Sequence, residues 1–215
     1  MINFILHHWY DLGVISGLLA YRYYYVNKRT LSIPQKLLLA NFIALCIHQF
    51  EEYRFPGGFP TAMNLGVHHS TAPDRYPLNA WSSLLTNVPA TYGVYLPAIF
   101  FPEVTGLGLT TVIFGFAQFY IHGINMNLKL GTIYNPGLAS VVFGFIPIGL
   151  KYVLHMQNNG LLTRRDWIIG FIGTWAFSYL LIAKTTFGLL PDYNTSYPFS
   201  PAEMQRWGAN LVGLA

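Results

Sequence analysis

The sequence predicts an all-α polytopic membrane bundle, about six transmembrane helices followed by a short C-terminal amphipathic helix. Three observations lead there. Of 215 residues, 53% are hydrophobic and only 9% charged, whereas a soluble domain carries roughly 25% charged residues on its wetted surface. The surplus apolar surface must therefore face lipid. About six apolar stretches approach the roughly 20 residues needed to cross a hydrocarbon core near 30 Å thick. Helix start and stop signals flank several of them. Together these exclude a cytosolic globular enzyme, a disordered regulator and a nucleic-acid binder. The 12 Lys and Arg residues outnumber the 8 Asp and Glu, but they are scattered near the ends of apolar runs as interface anchors and form no basic stripe.

The spans are expected at about 5–25, 33–50, 80–101, 104–126, 136–156 and 166–190. The first opens on Met-Ile-Asn-Phe-Ile-Leu-His-His, which has no cationic leader and no small-residue cleavage site, so it is expected to stay in the membrane. Ser32 and Pro34 open the second, and Cys46, the one cysteine, sits inside it as a small buried hydrophobe. A long connection, 53–79, carries Pro56-Gly57-Gly58, His68, His69 and Asp74 and reads as a lid or binding loop. Pro89 and Pro97 lie inside the third span and Pro147 inside the fifth, where kinks are tolerated if neighbours satisfy the freed carbonyls. Asn135 with Pro136 predicts an N-cap followed by Pro at the first helical position of the fifth span. Thr163 with Asp166 forms a capping box for the sixth, which Pro191 stops. Residues 1–190 thus form one bundle domain, and 191–215 a tail. There Ser200, Pro201 and Glu203 repeat the start signal, with Phe199 and Met204 at staple positions. The helix that follows aligns Met204, Trp207 and Leu211 on one face, lying at the interface or against the bundle. Lys and Arg differ too little between the two sides to orient the chain firmly, leaning toward termini outside.

Alternation of spans places the starts of odd spans and the ends of even spans at one membrane face, and the intramembrane polar groups gather there. Asn3, His7, His8 and Asp11 begin span one; His48, Glu51 and Glu52 end span two; Asn79, Ser83 and Asn87 begin span three. Gln118, His122 and Asn125 end span four, Tyr134 and Asn135 begin span five, and the His68-His69 loop hangs over the same face. Helical spacing draws stripes from Asn3-His7-Asp11, Asn41-His48-Glu52 and Gln118-His122-Asn125, aimed at a shared interior. Interhelical hydrogen bonding accounts for any one of these residues. One-sided segregation of histidine with carboxylates points to function.

The sharpest motif is His48-Gln-Phe-Glu51-Glu52, which brings one imidazole and one or two carboxylates within reach of a single ion. Adjacent carboxylates at the end of an apolar helix are costly unless a cation or a protonated histidine faces them. Imidazole with carboxylate suits a divalent metal, zinc first, iron or manganese next. His122 is the second imidazole, and His69, His68 or His7 completes the shell. The order of His48-x-x-Glu51-Glu52, then His122, then Tyr134-Asn135-Pro136-Gly137 resembles the HXXEE family of small bacterial membrane proteins, whose signature is an HxxEE, a further histidine and a YNPG motif. The resemblance singles out those eight positions and implies a bacterial inner-membrane location. It supplies no reaction.

The expected activity follows from the residues. His48, one glutamate and His122 hold a divalent ion that activates water, the other glutamate, Glu51, acts as general base, and Tyr134 with the Asn135 helix start polarises the scissile group of a lipid or other amphiphile. Two alternatives stand beside this hydrolase. One is iron-dependent oxidation, isomerisation or cyclisation of an apolar substrate; the other is a proton-coupled transporter or a structural membrane subunit. A histidine-rich membrane desaturase is disfavoured, because its family pattern needs about eight clustered histidines and this chain has 7.

Overall fold

The computed structural model describes residues 2–207, which are helical with no strand among them. The long helices are α1 (Ile2–Asn27), α2 (Ile33–Tyr53), α4 (80–100), α5 (Thr105–Leu130), α6 (Leu138–Asn158) and α7 (Arg164–Leu189). Two short elements join them, α3 (59–67) inside the long connection and α8 (Pro201–Met204) in the tail. Helix boundaries lie within a few residues of the expected spans, because the caps work as read. Ser32, Thr163 and Ser200 each close a reciprocal capping box, with Gln35, Asp166 and Glu203 respectively.

Three of these helices, α5, α6 and α7, are long and apolar enough to cross a membrane. The other three are also rods of at least 20 residues, and on α2 the polar side chains toward its C-terminal end are turned inward. Asn41, His48, Gln49, Glu51 and Glu52 are all buried. A buried polar stripe lowers a helix's mean hydropathy without wetting its outer face. On α1 the outer face is Ile15, Leu18, Leu19 and Val26, all exposed.

Helix α2 is central, packed by α1 on one side and α6 on the other, with α4 and α5 against its remaining faces. Small residues set the close crossings. A Cβ at Gly17 would stand 3.3 Å from Cys46 Cβ, which explains a buried free cysteine. Between α5 and α7, a Cβ at Gly106 would meet Ile169 at 2.6 Å and one at Gly170 would meet Leu109 at 2.7 Å, while Thr174 Oγ1 donates to the Thr110 carbonyl at 2.9 Å. The internal prolines are accommodated by widened, π-type turns at 90–95 and 141–145, which relieve the clash of a proline ring with the preceding turn.

The long connection is ordered over the polar end of the bundle. Asn64, fully buried, donates to the Pro73 and Leu78 carbonyls at 2.8 and 2.7 Å and accepts from the Leu78 amide at 3.0 Å. The tail closes over it. Thr61 donates to the Met204 carbonyl at 2.7 Å, and Phe199 and Met204 bury in a cluster with Trp9, Tyr10 and Tyr53. The tail helix therefore packs against the bundle; Leu211 lies outside the described residues.

Candidate metal centre

Two helices bring the ligand atoms together. On α2, His48 and Glu52 are one turn apart on the same face, and Glu52 Oε1 stands 3.6 Å from His48 Nε2. On α5, His122 sits in a π-type stretch, Phe119–Met126, and its Nε2 lies 3.4 Å from the same oxygen. Such widened turns recur at functional sites because they re-aim a side chain from within a helix. His48, Glu52 and His122 are buried, and one ligand atom from each lies within 4.8 Å of the others.

The far side of each imidazole fixes its tautomer. His48 Nδ1 faces the Gly137 carbonyl at 3.1 Å, which can only accept, with Ser140 Oγ at 3.0 Å alongside. His122 Nδ1 faces Asn135 Oδ1 at 2.7 Å. That amide is held in register by its own nitrogen, which donates to the His122 carbonyl at 2.7 Å and to Asn127 Oδ1 at 2.8 Å. Both Nδ1 atoms therefore carry a proton, and both Nε2 atoms face Glu52 Oε1. Among the described residues no donor hydrogen-bonds the Glu52 carboxylate. Three potential ligand atoms converging in a buried place form a group that could hold a metal ion, and the Nδ1 partners match the outer shell that orients ligating histidines.

Gly137 makes this arrangement possible. Its φ is +103°, and a Cβ there would stand 2.6 Å from His122 Cε1 and 2.8 Å from His48 Cε1. The glycine backbone fills the gap between the two rings, and its carbonyl orients one of them.

Glu51, expected as ligand or base, has a different place. Its neighbouring position turns it about 100° around α2 from Glu52, toward the start of α6. There it accepts from Tyr134 Oη at 2.8 Å, the Ala139 amide at 2.9 Å and the Ser140 amide at 2.7 Å. The carboxylate thus caps α6 from another helix, satisfying two orphan amides at a helix N-terminus that favours negative charge. Tyr134 and this helix start, expected to polarise a scissile group, instead bond to Glu51. Asn135 is correspondingly not the N-cap; α6 begins at Leu138 after Gly137, and Asn135 serves His122. Burial first, then the bond to the Glu51 carboxylate, raises the Tyr134 phenol well above its usual range, so it stays a donor.

The remaining histidines stand apart from the ligand group. His69 is exposed in a left-handed conformation, φ 52°. His68 stacks on Phe187 at 5.5 Å, its pKa lowered by partial burial and by the Lys129 charge. His7 pairs with Glu203 at 2.8 Å and His8 with Asp11 at 2.8 Å; Asn3 faces outward. The expected gathering of polar groups at one end does occur. Gln49 Nε2 donates to Thr91 Oγ1 at 2.8 Å, Tyr53 Oη to Ser83 Oγ at 3.3 Å, and Tyr10 Oη to Glu203 Oε1 at 3.1 Å.

The ligand group opens onto a cavity of about 110 Å³. Its walls are largely apolar, with Leu45, Phe114, Ile121 and Phe177 around the imidazoles, and Phe59 from the long connection closes one side.

A family model described as a protein of unknown function with HXXEE motif matches residues 39–152. The chain belongs to the HXXEE family. The HXXEE match runs from α2 almost to the end of α6, so it contains His48, Glu51, Glu52 and His122 together with Tyr134, Asn135, Gly137 and Ser140; α1, α7 and the tail lie outside it. No curated protein and no solved structure matches the chain. Within this HXXEE member the histidine and second glutamate of the motif join His122 in the group that could hold a metal, and the first glutamate fastens the start of α6. Sequence reasoning missed Ser140, which one signal marks: it falls three residues after Gly137, one helical turn into α6.

Proposed function

We propose that this HXXEE protein is a multi-pass enzyme of the bacterial inner membrane, with about six spans, that holds one divalent metal ion on His48, Glu52 and His122. The observation that carries the reading is the convergence of His48 Nε2, His122 Nε2 and Glu52 Oε1 on a buried cavity wall, with each imidazole held at Nδ1 by an oxygen partner. The exposed apolar face of α1 and the lengths of α2 and α4 support spans beyond the three strongly apolar helices.

Two imidazoles and one carboxylate are the protein ligands of hydrolytic zinc sites, and a bound divalent cation there acidifies water and polarises a carbonyl. The chain's own groups set the rest. Phe59, Phe114 and Phe177 line the cavity with apolar surface. Glu52 presents Oε1 to both imidazoles and leaves its second oxygen to take a proton, a task Glu51 cannot share while it accepts three hydrogen bonds. Hydrolysis of a lipid or other amphiphile, with zinc, is the reading we favour. The same donor set serves non-haem iron, and the apolar cavity favours oxidation or isomerisation of an apolar substrate as the second reading.

The test is metal-stripped protein in vesicles of acyl-ester lipids, loaded separately with zinc and with ferrous iron under air, with products followed by mass spectrometry. Products carrying the elements of water in the zinc-loaded sample, lost in Glu52→Ala, support the hydrolase. Oxygenated or isomerised products restricted to iron establish the second reading, and a loaded protein without turnover under either metal refutes an enzyme acting on such lipids.

A further inference from the structure

Gln118 is the last residue of the α-helical part of α5, four residues before His122 and on the same side of that helix. It is 6% exposed and lines the cavity in front of the ligand group. Among the described residues its carboxamide makes no hydrogen bond. Apart from the Glu52 carboxylate of the ligand group, several other polar side chains around that cavity are engaged. Asn87 donates to the Ser83 carbonyl at 2.9 Å and Thr86 to the Ser82 carbonyl at 2.8 Å. Tyr53 donates to Ser83, and His48 and His122 hold their Nδ1 partners. An amide that lines a cavity without a partner from the protein is free to bond to what enters it. Nothing in the packing of α5 requires a glutamine here, since its neighbours on the cavity wall, Phe114 and Ile121, are apolar.

We infer that Gln118 recognises the substrate by donating its Nε2–H to an uncharged carbonyl oxygen placed in the cavity beside the ion position. The inference rests on the metal-enzyme reading of the same site and names its substrate class: the acyl end of an ester or amide, with a short apolar segment beside the carbonyl. Two features limit what enters. The cavity, about 110 Å³, is smaller than the roughly 150 Å³ void that accepts one benzene, so only a small acyl end enters it. Its largely apolar wall, with Phe114, Ile121 and Phe177, suits the apolar segment beside the carbonyl. A site that hydrogen-bonds a carbonyl also rejects the hydrocarbon of equal size, because the amide is then left unpaired.

The experiment measures binding of two probes, 2-pentanone and pentane, by ligand-observed NMR. Wild type, Gln118→Met and Gln118→Leu are compared in the same detergent, each metal-free and cobalt-loaded. Methionine keeps the unbranched shape of glutamine and removes only the hydrogen-bonding end. The expected result is that wild type binds 2-pentanone and that both variants weaken it about tenfold, the value of one neutral hydrogen bond. Pentane binding stays equal or tightens, and cobalt uptake stays at wild-type level. Equal 2-pentanone affinity in wild type and Gln118→Met overturns the inference while leaving the metal reading intact. No 2-pentanone binding to wild type overturns it as well. Gln118-dependent binding in a protein that takes up no cobalt upholds carbonyl recognition and refutes the metal instead. Should Gln118→Leu fail to fold, Gln118→Met decides alone.

Discussion

Replacing Gly137 with alanine tests the site through its geometry. The new Cβ would sit 2.6 Å from His122 Cε1, 2.8 Å from His122 Nδ1 and 2.8 Å from His48 Cε1. Ordinary contacts of this kind lie at about 3.5–4.0 Å, so the two rings or the α6 start must yield by roughly 1 Å in all. Ligand positions tolerate only about 0.2 Å. The crowding costs about 1–3 kcal/mol and an alanine in left-handed backbone about 1–2 kcal/mol more. A loss near 2–5 kcal/mol lowers Tm by about 5–15 °C in a chain of this size. Because the Gly137 carbonyl also orients His48, metal affinity falls at least 10- to 100-fold, the usual loss when an outer-shell partner fails. The control is Gly131→Ala, which has the same left-handed backbone, φ +63°, but nothing within 4 Å of its added Cβ. It is expected to show the backbone cost alone and wild-type metal affinity. The assay is thermal unfolding with and without zinc, combined with competitive zinc titration. Wild-type metal affinity in Gly137→Ala, or equal loss in Gly131→Ala, would refute the reasoning.

The two glutamates of the motif should separate by phenotype. Glu51→Ala is expected to strip the cap from α6, costing about 1–3 kcal/mol for buried amides left unpaired, while keeping one metal ion per chain when folded; Glu52→Ala keeps the fold and loses the ion. Thermal unfolding and metal analysis of both proteins check this, and metal loss confined to Glu51→Ala contradicts it. Asn135→Leu frees His122 Nδ1 from its acceptor and should weaken metal binding about 10- to 100-fold, measurable by the same competitive titration. His69→Ala should leave metal content unchanged, because that side chain is exposed and apart from the group.

Much of the fold was legible because its helix starts are written locally. Ser32, Thr163 and Ser200 with their partners three residues on form capping boxes that need no tertiary information. His48 and Glu52 were legible for the same reason, since a spacing of four on a helix fixes a shared face. The division of labour between Glu51 and Glu52 was not legible. Both flank His48, and which one meets α6 depends on where that helix starts and how closely it crosses α2. Asn135 misled because Asn before Pro carries every local mark of an N-cap; the cap that prevails is Glu51, which reaches Ala139 and Ser140, 88 and 89 residues later in the chain, from α2. His69 was drawn in by residue type and loop position, neither of which fixes direction. The number of spans stayed open for a related reason: polar side chains facing inward on α2 lower its mean hydropathy as much as outward ones would.

The central claim is that one ion sits between His48, Glu52 and His122. Elemental analysis of protein purified in detergent from metal-replete cells tests it most directly, with the Glu52→Ala and His48→Ala/His122→Ala variants prepared in parallel. The account predicts one transition-metal ion per wild-type chain and none in either variant, with all three proteins helical and monodisperse. Folded wild-type protein without metal, or stoichiometric metal that survives in both variants, would contradict it.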